Sequence, residues 1–363
     1  MTLKYGLIGC GMMGQEHLRN LALLPDVQIA ALYEPDDHQA NLALQLAPRA
    51  RRASSIQDLF THDTLDALVI ASPNHLHMGQ LKEIAAHRTL PILCEKPLFT
   101  EPGDEAEAVA FQRQYDAPVW VAMEYRYMPP ITAFIERADS VTGGIKMLTL
   151  QEHRYPFLSK VGAWNRFNVN SGGTFVEKCC HFFDLMRLIL DSEPVRVTAS
   201  AGQFVNHLDE RHDGKAPDIW DGGYALFDFA NGARAMLELC MFADGSKWNE
   251  EIHAIGARGK IACRIPGPQR FWPDALGPSP QPELSVYPRS PKQPMTQTIA
   301  LDPSLIAAGD HHGSTFFQHQ KFLKLVKTGG LPDVSLEDGR KAVKMGLMAQ
   351  ESAQTHQVIA FDA

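Results

Sequence analysis

The sequence predicts an α/β protein of two domains, a doubly wound parallel sheet followed by an α/β domain on longer strands. Three observations carry that prediction. Residues 1–124 alternate short apolar runs with helical runs. The pattern changes at "YRYMPP", after which strands lengthen and alternate. A glycine-rich turn stands between the first strand and the first helix.

The first domain, residues 1–124, reads in order as strand "KYGLIGCG", helix "MGQEHLRNLALL", strand "VQIAALYE" and helix "HQANLALQLA". Strand "LDALVIAS", helix "HLHMGQLKEIAAH", strand "PILCEKP", helix "GDEAEAVAFQRQY" and strand "PVWVAMEY" follow. Such alternation gives right-handed βαβ units and a parallel sheet. The strands are apolar throughout because helices cover both faces.

The second domain, residues 125–363, carries "IKMLTLQEHRY", "VRVTASAGQFV", "GGYALFDFANGARAMLELCMF", "EEIHAIGARGKIACRI" and "PMTQTIAL". Asn-Gly at the centre of "FANGA" marks a hairpin. These strands predict an antiparallel or mixed sheet with one face under helices. The Pro-rich stretch 266–294 reads as a loop or an interaction segment, not a domain boundary. The last segments, "GSTFFQHQKFLKLVKTGG" and "SLEDGRKAVKMGLMAQESAQ", read as helices, the second opened by a capping box of Ser335 and Asp338.

Composition narrows the function. The chain has 363 residues, 45% hydrophobic and 21% charged, which is ordinary for a globular protein. A net charge of -8 argues against nucleic acid or an anionic membrane as the main partner. No run reaches the ~18 apolar residues of a membrane helix. The N-terminus enters a strand at once and lacks the regions of a signal peptide. The cysteines Cys10, Cys94, Cys179, Cys180, Cys240 and Cys263 form no Cys-x-x-Cys. The expected state is reduced thiols in the cytoplasm.

"GLIGCGMMGQEHL" holds Gly9-x-Gly11-x-x-Gly14 between a strand and a helix, the fingerprint of a Rossmann dinucleotide site. Gly9 permits the tight turn, Gly11 admits a pyrophosphate, and Gly14 lets helix and strand pack. Met12 and Met13 open the helix whose N-terminus faces the phosphates. Glu34 ends the second strand, where a carboxylate binds the ribose 2′-hydroxyl. It would repel a 2′-phosphate, and no Arg or Lys follows in "YEPDDHQ". NAD is therefore expected over NADP.

"ASPNHLH" places Ser72 and Asn74 at the carboxyl end of a parallel strand, where ligands bind. Asn74 serves a ribose, caps the following helix, or both. His77, on that helix, is either a cofactor contact or a surface residue. "CEKP" ends the next strand with Glu95 and Lys96. The Lys96 ammonium is suited to stabilising an alkoxide or polarising a carbonyl. Glu95 is suited to holding that lysine or the cofactor.

These motifs, with "EKPL", "YRYMPP", "WNRFNVNSGGTFVEKCCHFFDLMRLIL" and "VSLEDGRKAVKMGLMAQES", resemble the Gfo/Idh/MocA family over almost the whole chain. The resemblance implies a Rossmann domain and a C-terminal α/β domain with a large, mostly antiparallel sheet. It implies NAD(P)-dependent oxidation or reduction of sugars and cyclitols, and a homodimer or homotetramer. By resemblance, Lys96 lies beside substrate and nicotinamide, and His181 is the general acid/base. Glu177 stands where relatives have Asp. The spacing of Glu177 and His181 puts both on one helix face. A neutral-range imidazole suits proton exchange.

Other candidates for the substrate side are Glu124, Tyr125 and Arg126 after "VWVAM", and His153 and Arg154 in "QEHRYPF". Trp164 and Arg166 in "WNRF", and His312 in "GDHHGSTFF", complete the set. Each is alternatively surface charge or aromatic core. No metal site is expected, because adjacent Cys179 and Cys180 cannot supply spaced ligands; they are expected to pack as small apolar groups. Two other readings stay open. One is an NAD-dependent glycoside hydrolase that oxidises a sugar transiently and eliminates the aglycone, a chemistry some relatives perform. The other is a non-catalytic NAD-binding sensor.

Overall fold

The computed structural model describes residues 2–62 and 64–361. The chain forms two compact units. The first comprises Met1–Glu124, Lys160–Gly172 and Ser314–Lys344; the second comprises Tyr125–Ser159, Gly173–Gly313 and Met345–Ala363. Two segments from beyond residue 124 thus belong to the same unit as the N-terminal residues.

In the first unit, β1 (Leu3–Ile8), α1 (Met12–Leu21), β2 (Val27–Tyr33), α2 (Asp37–Leu46) and β3 (Arg51–Ala53) come in turn. α3 (Ile56–His62), β4 (Ala67–Ile70), α4 (His77–His87), β5 (Ile92–Cys94), α5 (Asp104–Gln114) and β6 (Val119–Val121) follow. The strands make a parallel sheet in the order β3-β2-β1-β4-β5-β6. The order reverses at β1 and β4, so a crevice opens at their carboxyl ends. β4, β5 and β6 are buried at every position, as a sheet covered on both faces requires.

The chain continues through α6 (Pro129–Thr142), β7 (Ile145–His153), α7 (Asn168–Ser171), α8 (Thr174–Glu177) and α9 (Cys180–Leu190). The strands β8 (Pro194–Gly202), β9 (Gly222–Phe229), β10 (Arg234–Cys240), β11 (Glu250–Gly256), β12 (Gly259–Ile265), β13 (Glu283–Pro288) and β14 (Met295–Thr298) come next. α10 (Pro303–Ala308), α11 (Ser314–Thr328), α12 (Leu336–Thr355) and β15 (Ile359–Ala360) close the chain. α7 and α11 belong to the first unit, where α11 packs on α1 and Phe322 meets Tyr5 edge-on at 5.9 Å.

The second unit holds a nine-stranded sheet, β14-β13-β12-β11-β7-β10-β9-β8-β15. Only β7 and β10 pair in parallel; the other pairs are antiparallel. The period of two buries Leu148, Leu150 and Glu152 of β7 and Glu250, Ile252 and Ala254 of β11 on one face. α6 and α9 cover that face, and their apolar residues share its core. The other face exposes Met147, Val195, Tyr224, Leu226 and Ile255.

The Asn-Gly hairpin joins β9 to β10, closed by the Phe229 N–H on the Ala233 carbonyl. The α12 capping box also forms: Ser335 N–H donates to Asp338 Oδ2, and Asp338 N–H to Ser335 Oγ. Two expectations are corrected. The Pro-rich stretch 266–294 is not all loop, because "ELSVYP" alternates and buries Leu284 and Val286 as β13 between β12 and β14. Its prolines sit at the strand end and in the turns, where no ladder N–H is lost. Glu177 and His181 do not share one helix face, since Lys178 and Cys179 interrupt the run and leave Glu177 at the end of α8 and His181 in α9.

Candidate active site

In the first unit, the glycine loop leaves β1 at Gly9, whose φ of 86° favours glycine. A Cβ on Gly9 would lie 2.5 Å from the Ser72 nitrogen, and one on Gly14 2.2 Å from the Gly9 oxygen. A Cβ on Gly11 meets nothing within 4 Å. Gly9 and Gly14 are thus packed against protein, while Gly11 borders open space at the start of α1. That is where a pyrophosphate needs backbone approach and free helix N–H groups. Met12 and Met13 are half-buried beside it.

Glu34 is built into this loop. Its carboxylate accepts from Cys10 N–H at 2.7 Å and from Asp36 N–H at 2.9 Å. Arg52, sequence-distant on β3, donates to the Glu34 carbonyl at 2.9 Å and pairs with Asp37. Burial, then the Glu34 charge, push the Cys10 thiol up to about 12, so it stays a thiol.

Ser72 donates its hydroxyl proton to Gln80 at 2.6 Å. Asn74 is buried and donates to the Ser171 carbonyl at 3.1 Å, tying the segment 160–172 to the strand end. His77 is wholly buried, with its ring nitrogens 2.8 Å from the Pro97 oxygen and 3.0 Å from the Ser72 oxygen. It braces the two strand-end loops. The Lys96–Pro97 peptide is cis.

Behind Lys96 lies a buried relay. His17 Nε2 stands 2.9 Å from Glu95 Oε1, and His17 Nδ1 stands 2.8 Å from His319 Nε2. Glu95 also accepts the Lys96 backbone N–H at 3.2 Å. Burial alone would lower His17; the hydrogen bond and charge of Glu95, with Glu124 and Glu16, hold it above the usual histidine value. Burial would raise Glu95, but the His17 hydrogen bond and charge, then Lys96, hold it below the usual range. His319 falls well below its usual value through burial and the His17 charge. An imidazolium at His17 therefore faces a carboxylate at Glu95 and a neutral His319. Glu124 accepts from the Thr315 hydroxyl, which also lies 3.0 Å from Glu16. Trp164 and Arg166 belong to this unit too, Trp164 with its ring 6.4 Å from that of His75 and Arg166 buried beside Asn165.

In the second unit, Gly172 at the boundary and Gly173 lead into α8, both at positive φ. Glu177 ends α8, buried, with Lys178 Nζ 3.3 Å away. Lys178 also lies over the Phe157 ring at 4.7 Å. His181, near the start of α9, is buried, and the Tyr125 ring stacks on it with centroids 4.0 Å apart at 3°. His311 tilts toward the same tyrosine at 6.2 Å. Cys179 and Cys180 are fully buried; burial, then Glu152, raise the Cys179 thiol far above its usual value.

The other candidates separate. Arg126 forms a two-pronged ion pair with Asp184, both contacts 2.5 Å. His153 alternates onto the sheet face opposite Glu152, where its Nε2 lies 2.9 Å from Glu238. Arg154 pairs with Glu152 at 2.7 Å. His312 is buried, its Nε2–H donating to the Pro266 oxygen at 2.9 Å. Burial pushes it down to about 4, so it is neutral. Sequence reasoning missed His17, His319, Arg52, Glu152 and Glu250. The one local signal was a glutamate standing in the buried register of β7 and of β11.

Fold and loop together define a Rossmann-type dinucleotide-binding protein with a second α/β domain. Residues 3–123 match the model described as "Oxidoreductase family, NAD-binding Rossmann fold", and residues 139–361 match "Oxidoreductase family, C-terminal alpha/beta domain". The chain belongs to this Gfo/Idh/MocA family of oxidoreductases. It is 28% identical to the rhizopine catabolism protein MocA of Rhizobium meliloti, over 74% of this chain and 79% of that protein. It is 22% identical to myo-inositol 2-dehydrogenase of Thermotoga maritima, over 97% and 96%. Among solved structures, levoglucosan dehydrogenase in complex with NADH and levoglucosan superposes with a TM-score of 0.82 at 19% identity, covering 99% of each chain.

Proposed function

We propose that the protein is an NAD(H)-dependent dehydrogenase acting on a secondary alcohol of a sugar, sugar acid or cyclitol. The observation that supports it best is the glycine loop, where Gly11 borders open space while the Glu34 carboxylate is fastened to the Cys10 amide. A carboxylate so placed matches a ribose hydroxyl and repels a 2′-phosphate, which favours NAD over NADP. Gly9, Gly11, Met12, Met13 and Gly14 then cradle the pyrophosphate, with Ser72, Asn74 and Glu95 along the strand ends.

Bound nicotinamide supplies the hydride acceptor or donor. The chain's own groups do the rest. The Lys96 ammonium stabilises the alkoxide that forms as the hydroxyl loses its proton. His181 takes or returns that proton. Glu177 orients the substrate or His181, and Arg154, Trp164 and Arg166 contribute to substrate binding. In this reading residues 1–124 form the NAD-binding domain and residues 125–363 the substrate-binding and oligomerisation domain, in a cytoplasmic homodimer or homotetramer. Relatives named inositol dehydrogenase and levoglucosan dehydrogenase support the carbohydrate class.

The test is a panel of cyclitols, aldoses, levoglucosan, sugar acids and glycosides, followed by NADH absorbance, with Lys96→Ala and His181→Ala beside the wild type. A true substrate gives NADH, and each substitution lowers kcat by about 10²–10⁴. Failure to bind NADH, or full turnover by Lys96→Ala, refutes the proposal. Release of aglycone without net NADH replaces it with the glycoside-cleaving reading.

A further inference from the structure

We propose that Glu152 and Glu250 hold one proton between them, Glu250 as the acid and Glu152 as the carboxylate, and that this pair sets the charge facing the Tyr125–His181 stack. The inference rests on the reading of His181 as the proton-transfer group.

The geometry begins with register. β7 and β11 are antiparallel neighbours, and Glu152 stands directly opposite Glu250. Directly opposed residues on one face bring their Cβ atoms to about 5 Å. Both side chains lie on the helix-covered face, Glu152 at 0% and Glu250 at 4% exposure. Glu152 Oε1 accepts from Arg154 at 2.7 Å, and Glu250 Oε1 accepts from the Asn249 amide at 2.7 Å. The remaining oxygen of each, Oε2, is buried with no donor among the described residues.

Two buried carboxylates face to face beside a single arginine would leave one charge uncompensated. Carboxyl groups in that position cannot both ionise, and one keeps its proton. A retained proton supplies the missing donor, and an O–H···O⁻ bond is among the stronger hydrogen bonds. The ion pair with Arg154 identifies Glu152 as the ionised member. Consistent with this, burial and then the Glu152 charge push the Glu250 carboxyl up to about 8.

The groups around the pair are its audience. Tyr125 feels burial first, then Glu152 and Glu250, and its hydroxyl is held well above the usual value. Arg154 and Tyr155 follow β7, Cys179 precedes α9, Cys263 on β12 stands opposite Ile252 and feels the Glu250 charge, and His311 bears on Glu250. Arg154, 2.7 Å from Glu152, is the fixed positive charge paired with this group, and Lys178 bears on Cys179 beside it. Loss of the shared proton therefore adds a full negative charge beneath Tyr125, and through that ring favours the imidazolium of His181. Glu152 and Glu250 are positioning residues for His181, acting through Tyr125.

The sign on stability follows. A carboxyl whose value is raised by folding stabilises fully below the ordinary glutamate range, and that contribution is lost as pH rises through about 8. Glu250→Gln keeps a neutral donor opposite Glu152 and removes the titration.

The experiment uses the full chain. Infrared spectra of wild type at pH 6.5 should show a buried carboxylic-acid C=O band that fades as pH passes 8, and Glu250→Gln should lack it. The wild-type melting temperature should fall relative to that of Glu250→Gln across the same window. With any polyol oxidised in the panel, the wild-type to Glu250→Gln ratio of kcat should be flat below pH 7 and change several-fold through pH 8. Absence of the acid band in wild type overturns the shared proton, and this needs no variant to fold. A band with a kcat ratio flat through pH 8 overturns the link to His181. A band with no NADH from any polyol leaves the pair standing, overturns its tie to catalysis and sinks the dehydrogenase reading separately.

Discussion

The Tyr125 ring lies flat on the imidazole of His181, 4.0 Å between centroids and 3° from parallel. Tyr125 opens the second unit as the first residue of "YRYMPP", and His181 lies 56 residues on in α9 (181 − 125 = 56). The stack fixes the ring plane of the histidine that the proposed chemistry asks to move a proton. Stacked aromatic pairs contribute about 0.5–1.5 kcal/mol beyond their buried area. Tyr125→Leu should therefore lower kcat more than it lowers NADH affinity, while Tyr125→Phe should keep the stack and most of the rate. Equal effects of both substitutions on kcat would assign the role to the hydroxyl instead.

Gly11 and Gly14 separate folding from binding. Gly14→Ala drives a methyl onto the Gly9 carbonyl at 2.2 Å and should destabilise the domain by about 1–3 kcal/mol. Gly11→Ala meets nothing in the chain, at a φ of -67° that any residue adopts. Its melting temperature should stay near wild type, while NADH affinity falls about tenfold or more, ~1.4 kcal/mol. Fluorescence titration beside thermal melts reads both. Unchanged NADH affinity in Gly11→Ala would move the pyrophosphate elsewhere.

Glu34 should govern the choice between dinucleotides. Its carboxylate is oriented by two backbone N–H groups, and Arg52 stands at its carbonyl. Glu34→Ala should weaken NAD and narrow the preference over NADP by about tenfold, since a single lost ribose bond is worth ~1–2 kcal/mol. The ratio of Kd values for the two reduced cofactors checks this.

His17 and Glu95 give stability a pH signature. His17 is raised by Glu95 against its burial, so its contribution is full below the ordinary histidine value and lost as pH rises through the raised one. His319 is lowered, so its contribution is present above the ordinary value and lost as pH falls. The melting temperature of wild type relative to His17→Gln should therefore decline on the alkaline side of about 6.5. Glu95→Ala removes the counterion of a buried imidazolium and should cost about 3–5 kcal/mol. Chemical unfolding at several pH values measures both effects.

The parallel sheet, the glycine loop, Glu34 at the end of β2, the Asn-Gly hairpin and the Ser335–Asp338 cap were all legible from residues close in sequence. Each rests on local physics: the sterics of positive φ, the period of apolar residues, or a side chain reaching its own backbone. The strand within 266–294 escaped because prolines masked an alternation that only its neighbours β12 and β14 make a ladder. The relay of His17, Glu95 and His319 joins residues 78 and 302 positions apart. Glu152 meets Glu250 only because β11 pairs with β7 in one register, and a slip of one residue would turn every side chain to the other face. The sequence by itself determined the elements, the nucleotide loop and the residue types able to carry the chemistry. Tertiary structure alone decided which charges face one another in the interior, because protonation and pairing depend on burial and distance across strands.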